Sequence, residues 1–572
     1  MRLIWSASIL VICIDVCATH ATNALHSSDN NSLLVDLGYG IYQGHYNATI
    51  DHNVGQGIRY AAPPTGDNRW RAPQSPTSSD SIVLKADTLP ERCPQTPNAP
   101  IPTDYDYAGS EDCLFLSVYA PSNANNLPVW FWIHGQGDQD IANISRINDN
   151  RFVSVVIQYR LGALGFLAGD EVKRFGDVNV GLLDQQCAMQ WVQNHIAKFG
   201  GDPRRVTIAG QSAGAGAVTH HAMAYSGSLG TKLFQNAIAA TPYLPVQYHY
   251  SDWQPSQAYY ALAAATGCFP AQPYGNTTTT ILDFGASGPF GTWAFLPVID
   301  DCFFQERFTK QLLSDTPING QRLMTGNTAN EAATYVDPTT RTDADFEAWL
   351  RLSYPLLSST DIDEILHVHY PASDPNTSAG PAFATCGDCP EGPTALTTGS
   401  FATGSLQRAI NLYSESTFVC SSYWLARAYN PTKGKKAWKY QYSVPAAQHG
   451  ADLNAAGLRA PGPNVGDDMY EAHTRMWGNM VVNNDPTLDD GSAAEEWPLF
   501  VDGGDEAWEM LNLNQTGGGV YSSQVLPLLQ NATQPKGPGL KNDFRIVDAY
   551  GWEGGRGRRC EFWERVAERV PM

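Results

Sequence analysis

The chain has 572 residues, of which 43% are hydrophobic and 16% are charged, a composition typical of a globular protein with a large core. Its formal net charge is −21, because 57 acidic residues outnumber 36 basic ones. A surface of this sign repels nucleic acid and anionic lipid, so we expect neither as a partner.

The N-terminus has the pattern of a secretory signal. Arg2 is followed by a short apolar run from Leu3 to Cys17, and then by small residues suited to a cleavage site, at Ala18, Ala21 and Ala24. The run is too short to span a membrane, and no later stretch has the ~20 apolar residues of a membrane span. We therefore expect a signal peptide over residues 1–24, a single domain over residues 25–572, and a secreted, extracellular protein without a stable membrane anchor. The alternative is a buried N-terminal strand.

Two further features agree with export. Seven N-x-[ST] sequons are candidate glycosylation sites: Asn30, Asn47, Asn143, Asn276, Asn376, Asn514 and Asn531. Of 11 cysteines, Cys13 and Cys17 fall in the expected signal peptide, which leaves nine. In a secreted protein most of these should form disulfides, with at least one cysteine left over.

Hydrophobic patterning predicts an α/β fold. Apolar runs rich in β-branched and aromatic residues indicate buried strands at Val129–Ile133, Phe152–Tyr159, Val206–Ala209, Arg322–Thr325 and Ala437–Val444. Helical patterns such as Leu182–Lys198 lie between them. This alternation predicts a mostly parallel central sheet with helices on both faces. The stretch Asn376–Gly404 is rich in loop-forming residues and is predicted to be a surface excursion, and Asp502–Gly539 has similar loop-like stretches. Neither needs to be a separate domain.

The segment Gly210-Gln211-Ser212-Ala213-Gly214 fits the pattern G-x-S-x-G. It follows a predicted strand and precedes a predicted helix, Ala213–Met223, which is the context of a nucleophile elbow. Glycines 210 and 214 remove side chains that would collide across the sharp turn, and the helix N-terminus favours negative charge beside Ser212. The pattern predicts Ser212 as a nucleophile. The alternative is a tight Gly-Ser turn without chemistry.

A second glycine-rich turn follows the predicted strand Val129–Ile133. It reads His134-Gly135-Gln136-Gly137, and its backbone N–H groups can point into a site. Ala213, directly after the serine, would supply another N–H. The turn therefore predicts donors for a negatively charged oxygen, with a plain β-turn as the alternative.

Five more segments carry a recognisable pattern. Gly57–Pro64 reads G-I-R-Y-A-A-P-P, Glu111–Leu116 reads E-D-C-L-F-L, and Tyr159–Leu167 reads Y-R-L-G-A-L-G-F-L. Gly181–Gln185 and Phe199–Pro203 then lead into the serine motif. With these segments, the chain resembles the type-B carboxylesterase/lipase family, which includes cholinesterases and fungal lipases. The resemblance runs from about residue 33 to the C-terminus and implies the α/β-hydrolase fold and hydrolysis of small-molecule carboxylic esters.

The resemblance also implies the remaining catalytic residues. Gly326–Ala332 is similar to the family's G-x-N-x-D-E-G, which makes Glu331 the acid, and His449–Leu453 is similar to H-G-x-E-L, which makes His449 the base. The order Ser, acid, His is that of α/β-hydrolases. A surface glutamate and a structural loop histidine are the alternatives.

The implied mechanism needs no metal and no cofactor. His449 takes the proton of Ser212, Glu331 orients the imidazole, and water later hydrolyses the acyl-enzyme. The oxyanion is bound by the backbone N–H groups of Gln136, Gly137 and Ala213.

The resemblance further implies disulfides between Cys93 and Cys113 and between Cys420 and Cys560. Two weaker pairings are Cys268 with Cys302 and Cys386 with Cys389. The C-x-x-C spacing of Cys386 and Cys389 could suggest a zinc site, but no second ligand pair of suitable spacing accompanies it, so a disulfide is favoured there. Cys187 is expected to be the buried free thiol. Buried ion pairs are implied at Arg69 with Glu111 and at Arg160 with Asp184.

Three residues depart from the family pattern: Gln136 and Ala332 replace glycines, and Gln211 replaces the usual Glu before the serine. The 19-residue loop between Cys93 and Cys113 is polar and contains no Trp; Tyr105 and Tyr107 are weak substitutes for a choline-binding Trp. We therefore expect short- to medium-chain soluble esters as substrates. The alternatives are a lipase acting on longer acyl glycerides and a non-catalytic binding protein, and the sequence does not indicate an oligomeric state.

Overall fold

The computed structural model describes residues 33–78, 82–96, 109–135, 141–267, 290–372, 399, 402–501, 508–525 and 530–570. The strands in these ranges are β1 (Leu33–Asp36), β2 (Ile41–Asn47), β3 (His52–Arg59), β4 (Val83–Lys85), β5 (Phe115–Pro121), β6 (Leu127–Ile133), β7 (Val153–Ile157), β8 (Gly201–Gln211), β9 (Asn236–Ala240), β10 (Arg322–Thr328), β11 (Lys436–Tyr442), β12 (Glu509–Val525) and β13 (Gln530–Asp548).

The helices in the same ranges are α1 (Ile141–Ile147), α2 (Gly162–Phe166), α3 (Asp170–Phe175), α4 (Val180–His195), α5 (Ala213–Met223), α6 (Trp253–Ala265), α7 (Phe308–Leu313), α8 (Asp343–Ser353), α9 (Ser359–Glu364), α10 (Gly404–Ser414), α11 (Cys420–Ala428), α12 (Asp452–Ala455), α13 (Asp467–Val482) and α14 (Trp552–Val566). Within the described ranges, no helix is both long enough and apolar enough to cross a membrane.

The strands form one sheet in the order β1-β2-β3-β5-β7-β6-β8-β9-β10-β11-β12-β13, with β4 paired to β2. From β7 to β12 every neighbouring pair is parallel, whereas the pairs that join β1, β2, β3, β5 and β7 and the pair of β12 with β13 are antiparallel. The predicted mostly parallel central sheet is therefore confirmed. Its parallel centre carries the carboxyl ends of β8, β10 and β11 at one edge, where α/β folds bind ligands.

Strand β6 shows why the sheet is buried on both faces. Val129, Phe131 and Ile133 belong to one hydrophobic cluster, while the intervening Trp130 and Trp132 belong to another. Successive side chains of a strand point to opposite faces, so both faces of this strand must be covered. Helices α4, α5 and α11 pack into the first cluster, and α1 and α13 pack into the second. The helices on both faces of the sheet thus follow from its continuous apolar strands.

The cross-links agree with those implied by the family resemblance. Disulfides join Cys93 to Cys113 and Cys420 to Cys560. Cys187 is buried in α4, with its sulfur 3.9 Å from a backbone carbonyl oxygen. Cys268, Cys386 and Cys389 lie outside the described residues, so the pairings of Cys268 with Cys302 and of Cys386 with Cys389 stay predictions.

Both implied ion pairs are present. Arg160 contacts Asp184 at 2.6 Å with both side chains almost fully buried, and Arg69 contacts Glu111 at 2.7 Å. The Arg160 pair ties the start of α4 to the segment that follows β7, and the Arg69 pair ties the segment after β3 to the segment before β5. They fix loops close to the edge where the parallel strands end.

Two predictions of the sequence are corrected by the structure. Most of Asp502–Gly539 is not a loop, because β12 and the first part of β13 pair there as a long antiparallel hairpin.

The sequon at Asn514 cannot carry a glycan in the folded chain, because its side chain is only 2% exposed on β12. Among the other sequons, Asn531 is exposed and Asn47 and Asn143 are half-buried. Asn30, Asn276 and Asn376, the expected signal peptide and most of the predicted loop Asn376–Gly404 lie outside the described residues.

Candidate active site

Ser212 lies between the end of β8 and the start of α5. Its backbone has φ 58° and ψ −124°, a conformation that costs energy for a residue with a side chain and that is concentrated at functional sites. Neighbouring glycines make the turn possible: a Cβ on Gly210 would collide with the backbone of Gly214, and a Cβ on Gly214 would collide with the carbonyl oxygen of Ile133. The local geometry is that of a nucleophile elbow.

The turn after β6 packs directly against this elbow. A Cβ on Gly135 would collide with the carbonyl oxygen of Gln211 and would lie 3.0 Å from Cβ of Ser212. Ala213 is exposed, and its N–H belongs to the first turn of α5, where backbone donors have no acceptor within the helix. Gln136 and Gly137, the other predicted oxyanion donors, lie outside the described residues.

Glu331 and His449 meet at the same edge of the sheet. Glu331 follows the end of β10 and is fully buried, and its Oε1 accepts a hydrogen bond from the backbone N–H of Thr328. Its Oε2 lies 2.5 Å from Nδ1 of His449, which follows β11. Because a carboxylate accepts, the imidazole donates from Nδ1, and Nε2 of the neutral ring is left as an acceptor.

The other side of the imidazole faces Gln211. The Nε2 atoms of Gln211 and His449 are 3.2 Å apart, and the same Gln211 amide donates to Oγ1 of Thr241 at 2.9 Å. The rings of Phe418 and Tyr335 flank the imidazole, with centroids 4.6 Å and 5.6 Å from it. Polar contacts at Nδ1 and Nε2 and two neighbouring aromatic rings therefore hold the imidazole of His449 in place.

Among the described residues, Ser212 Oγ has no hydrogen-bond partner. The structure thus brings Glu331 and His449 into contact and places Ser212 beside them on the adjoining elbow, but it records no hydrogen bond between Ser212 and His449. Hydrogen bonds between a catalytic serine and its base are often long before substrate binds. The residue in contact with His449 Nε2 is Gln211, which the sequence had marked only as a departure from the family.

Comparison with known proteins decides the family. The model of the "Carboxylesterase family" matches residues 31–522. This chain belongs to the carboxylesterase family. That result confirms the expected class, a type-B carboxylic ester hydrolase, and the α/β-hydrolase fold at the level of family.

Individual relatives span most of the chain at low identity. "Carboxylesterase patB" of Aspergillus clavatus is 26% identical over 85% of this chain and 93% of that protein, and "Lipase 1" of Geotrichum candidum is 27% identical over 81% and 88%. A "Carboxylic ester hydrolase" of Bombus ignitus is 37% identical, over only 37% of this chain and 39% of its own length. The solved structure of Aspergillus niger EstA covers 95% of this chain and is itself covered completely, with a TM-score of 0.72 and 25% identity.

An aromatic cavity lies close to Ser212 and His449 in this carboxylesterase. It has a volume of about 220 Å³, and its lining includes Tyr243, Trp293, Phe295, Tyr354 and Tyr413. The backbone N–H of Tyr243 donates to the carbonyl oxygen of Ser212, and the Tyr243 ring packs against Phe418, which contacts His449. The cavity therefore begins one residue layer away from the elbow.

A buried carboxyl group lies close to Glu331 and His449 in this carboxylesterase. Asp452 is fully buried three residues after His449, and its Oδ2 accepts a hydrogen bond from the hydroxyl of Tyr440 at 2.9 Å. Burial raises the pKa of Asp452 to about 6, and the charge of Glu331 adds to the increase. The H-G-x-E-L motif pointed to His449 alone, although Asp452 occupies its acidic position.

Further charges are buried behind the loop that holds Glu331. Lys439 on β11 donates to Oδ1 of Asn327, and burial holds the pKa of its amine well below the ordinary value. Arg556 donates to the carbonyl oxygen of Ala329, two residues before Glu331, and also contacts the buried Glu415. No local motif marks these residues, because their partners come from distant segments. Arg556 thereby connects helix α14 to the loop that holds Glu331.

Among the described residues, no three His, Cys, Asp or Glu side chains are grouped so that they could hold a metal ion. The C-x-x-C pair at Cys386 and Cys389 falls outside those residues. The polar groups around Ser212 are hydrogen-bond donors and a carboxylate-oriented imidazole, which can move a proton and stabilise negative charge on an oxygen.

Proposed function

We propose that this protein is a secreted serine carboxylic ester hydrolase that works through a covalent acyl-enzyme. Ser212 is the nucleophile, His449 the base and Glu331 the acid. The proposal is carried by one observation: the buried Glu331–His449 hydrogen bond lies at the carboxyl edge of the parallel strands, next to a serine in a strained elbow. The two disulfides support an extracellular location, since such bonds persist in oxidising compartments.

The geometry supports each step of acyl transfer. Glu331 holds the imidazole with Nδ1 protonated, so that Nε2 can take the proton of Ser212 as its oxygen attacks the ester carbonyl. The N–H of Ala213, with those of Gln136 and Gly137, would stabilise the oxyanion. His449 then returns the proton to the leaving alcohol. Water activated by the same histidine hydrolyses the acyl-enzyme and restores Ser212.

The size of the cavity beside the elbow supports a substrate with a small acyl or alcohol group. Its volume of about 220 Å³ is below the roughly 300–1,000 Å³ of pockets that hold drug-sized ligands. Its aromatic lining favours apolar groups over charged ones. We therefore propose esters of short to medium chain length as substrates, hydrolysed in solution and not at a lipid interface.

A chain-length series of p-nitrophenyl esters tests this function. Each ester is assayed below and above its solubility limit, with wild-type protein and with Ser212→Ala as the matched control. We expect hydrolysis by the wild type alone, a preference for short to medium acyl chains, and no jump in rate when the ester exceeds its solubility. Strong activation by emulsified long-chain triglyceride would indicate a lipase instead.

Labelling with an organophosphate separates an enzyme from a binding protein of the same fold. The wild type should be labelled, because the reagent reacts with activated serines, and Ser212→Ala should not. Folded wild-type protein that resists labelling would overturn the assignment of Ser212 as a nucleophile.

A further inference from the structure

The side chain of Gln211 bridges two groups beside the elbow. It is the last residue of β8 and is only 2% exposed, although it directly precedes Ser212. Its Nε2 lies 2.9 Å from Oγ1 of Thr241 and 3.2 Å from Nε2 of His449. It therefore touches the imidazole nitrogen that must accept the proton of Ser212.

Glu331 determines which way this hydrogen bond runs. Its carboxylate lies 2.5 Å from Nδ1 of His449, so the proton of the neutral imidazole sits on Nδ1 and Nε2 carries a lone pair. The group that faces Nε2 must then be a donor. The amide N–H of Gln211 is such a donor, and the Thr241 hydroxyl accepts its second hydrogen.

A neutral amide and a carboxylate would act on His449 in opposite ways. The amide N–H pairs with Nε2 only while that nitrogen is unprotonated, so it favours the neutral base. A carboxylate in the same place would accept from a protonated Nε2 and would attract the cation, so it would favour the charged form. The base must be neutral to take the proton of Ser212, and therefore the difference concerns the pH range in which the enzyme works.

Other ionisable groups also face the imidazole. Glu331 contacts it from the loop after β10, and the buried Asp452 follows it on α12. Tyr335 flanks its ring, while Arg459 lies close to Gly450, where a Cβ would be 3.4 Å from the guanidinium. These groups are the same whichever residue stands at position 211, so a substitution there isolates the contribution of Gln211.

We propose that Gln211 is a positioning residue that holds His449 as the neutral base by donating a hydrogen bond to its Nε2, and that this extends ester hydrolysis toward acid pH. The inference rests on the proposed function. The contact is at the long end of the hydrogen-bonding range, so the hydroxyl of Ser212 can replace the amide when an ester binds.

The test measures kcat/KM between about pH 4 and about pH 9 for the wild type, Gln211→Glu and Gln211→Met. The midpoint of the acid limb of such a profile gives the pH at which the catalytic base of the free enzyme becomes protonated. In Gln211→Glu the midpoint of the acid limb should rise by about one pH unit, which costs up to about tenfold in activity on that limb. Gln211→Met keeps the side-chain length but has no N–H, so its midpoint should rise by about half a unit. Gln190→Glu, on the outer side of α4, adds the same charge elsewhere and should leave the midpoint unchanged.

The outcomes separate this inference from the proposed function. If the wild type hydrolyses esters and Ser212→Ala does not, but Gln211→Met leaves the midpoint unchanged or lowers it, the role of Gln211 is overturned while the function stands, even if the added charge in Gln211→Glu raises the midpoint. If the wild type neither hydrolyses esters nor reacts with an organophosphate, the proposed function itself fails. Should Gln211→Glu fail to fold, Gln211→Met decides alone, and an unchanged or lower midpoint in that variant overturns the proposal.

Discussion

Oε2 of Glu331 lies 2.5 Å from Nδ1 of His449, although 118 residues separate the two along the chain. The pair is formed because β10 and β11 are neighbouring parallel strands, so that the loops after them start at the same edge of the sheet. Glu331 is also fixed on its other oxygen by the N–H of Thr328. The orientation of the imidazole therefore depends on the fold of two adjacent strands.

We expect Glu331→Gln to lower kcat/KM by about 10³- to 10⁴-fold, because an amide can donate to Nδ1 and stabilise the wrong tautomer of His449. The measurement is steady-state hydrolysis of a soluble p-nitrophenyl ester. Far-UV circular dichroism controls for folding. A folded variant that keeps activity within about tenfold of the wild type would contradict the role of Glu331 as the acid.

Gly135 should tolerate no side chain. A Cβ there would collide with the carbonyl oxygen of Gln211 and press on Cβ of Ser212, so Gly135→Ala must displace either the turn after β6, where we propose the oxyanion donors, or the elbow. We expect a loss of about 100-fold or more in kcat, the size seen when an oxyanion donor is removed. Gly519→Ala is the matched control, because its Cβ would meet nothing closer than 3.9 Å. Equal activity of the two variants would show that the turn can relax.

Local signals account for the parts of the fold that could be predicted. The strand that ends at Gln211 and the helix Ala213–Met223 flank the serine motif as expected, since glycines at fixed positions allow one sharp turn. Strands β6, β10 and β11 were likewise predicted within a few residues, because a fully buried parallel strand is a continuous apolar run.

The hairpin of β12 and β13 could not be predicted from composition. Its residues include glycines, asparagines and prolines that are typical of loops, and Gly517 and Gly518 have positive φ where the pairing shifts register. The strands form because nearly every residue of β12 has a partner in β13, from Glu509 opposite Asp548 to Val525 opposite Gln530, and only Gly518 at the register shift is left out. Strand formation here depends on cross-strand pairing more than on local preference.

The contact between Gln211 and His449 could not be predicted from the sequence either. The two residues are 238 positions apart, and a pattern of residues along the chain carries no information on which side-chain nitrogen meets which. The sequence indicated only that Gln replaces Glu before the serine. The structure adds the 3.2 Å contact between the two Nε2 atoms, and the Glu331 carboxylate at Nδ1 is the basis on which we infer that Gln211 is the donor.

Asp452 should make the folded state less stable as pH rises. Burial raises its pKa from 3.8 to about 6, so between these values the unfolded chain has released a proton that the folded chain still holds. The contribution of Asp452 to the free energy of unfolding is then greatest below about pH 4 and falls until about pH 6, by about 3 kcal/mol in total. Asp452→Asn cannot titrate and keeps an oxygen for the Tyr440 hydroxyl. We expect its melting temperature to match the wild type near pH 4 and to exceed it near pH 8; a constant difference across that range would contradict the raised pKa.

Trp293 should limit the length of the chain that the cavity accepts. It lines the cavity together with Tyr243, and its indole N–H donates to the carbonyl oxygen of Thr96. Trp293→Ala removes the ring and opens space for additional methylene groups, each of which contributes about 0.8 kcal/mol when buried.

We expect the ratio of kcat/KM for octanoate over butyrate esters to rise by about tenfold or more in Trp293→Ala, because a few additional methylene groups become buried. Trp253→Ala is the control, since that ring is 61% exposed on α6 and outside the lining of this cavity. If the ratio stays the same in both variants, the acyl chain does not enter the cavity, and the aromatic wall would then have to contact the alcohol group. A parallel series with one acyl group and alcohols of increasing length distinguishes the two, because only the series whose variable part occupies the cavity responds to Trp293→Ala.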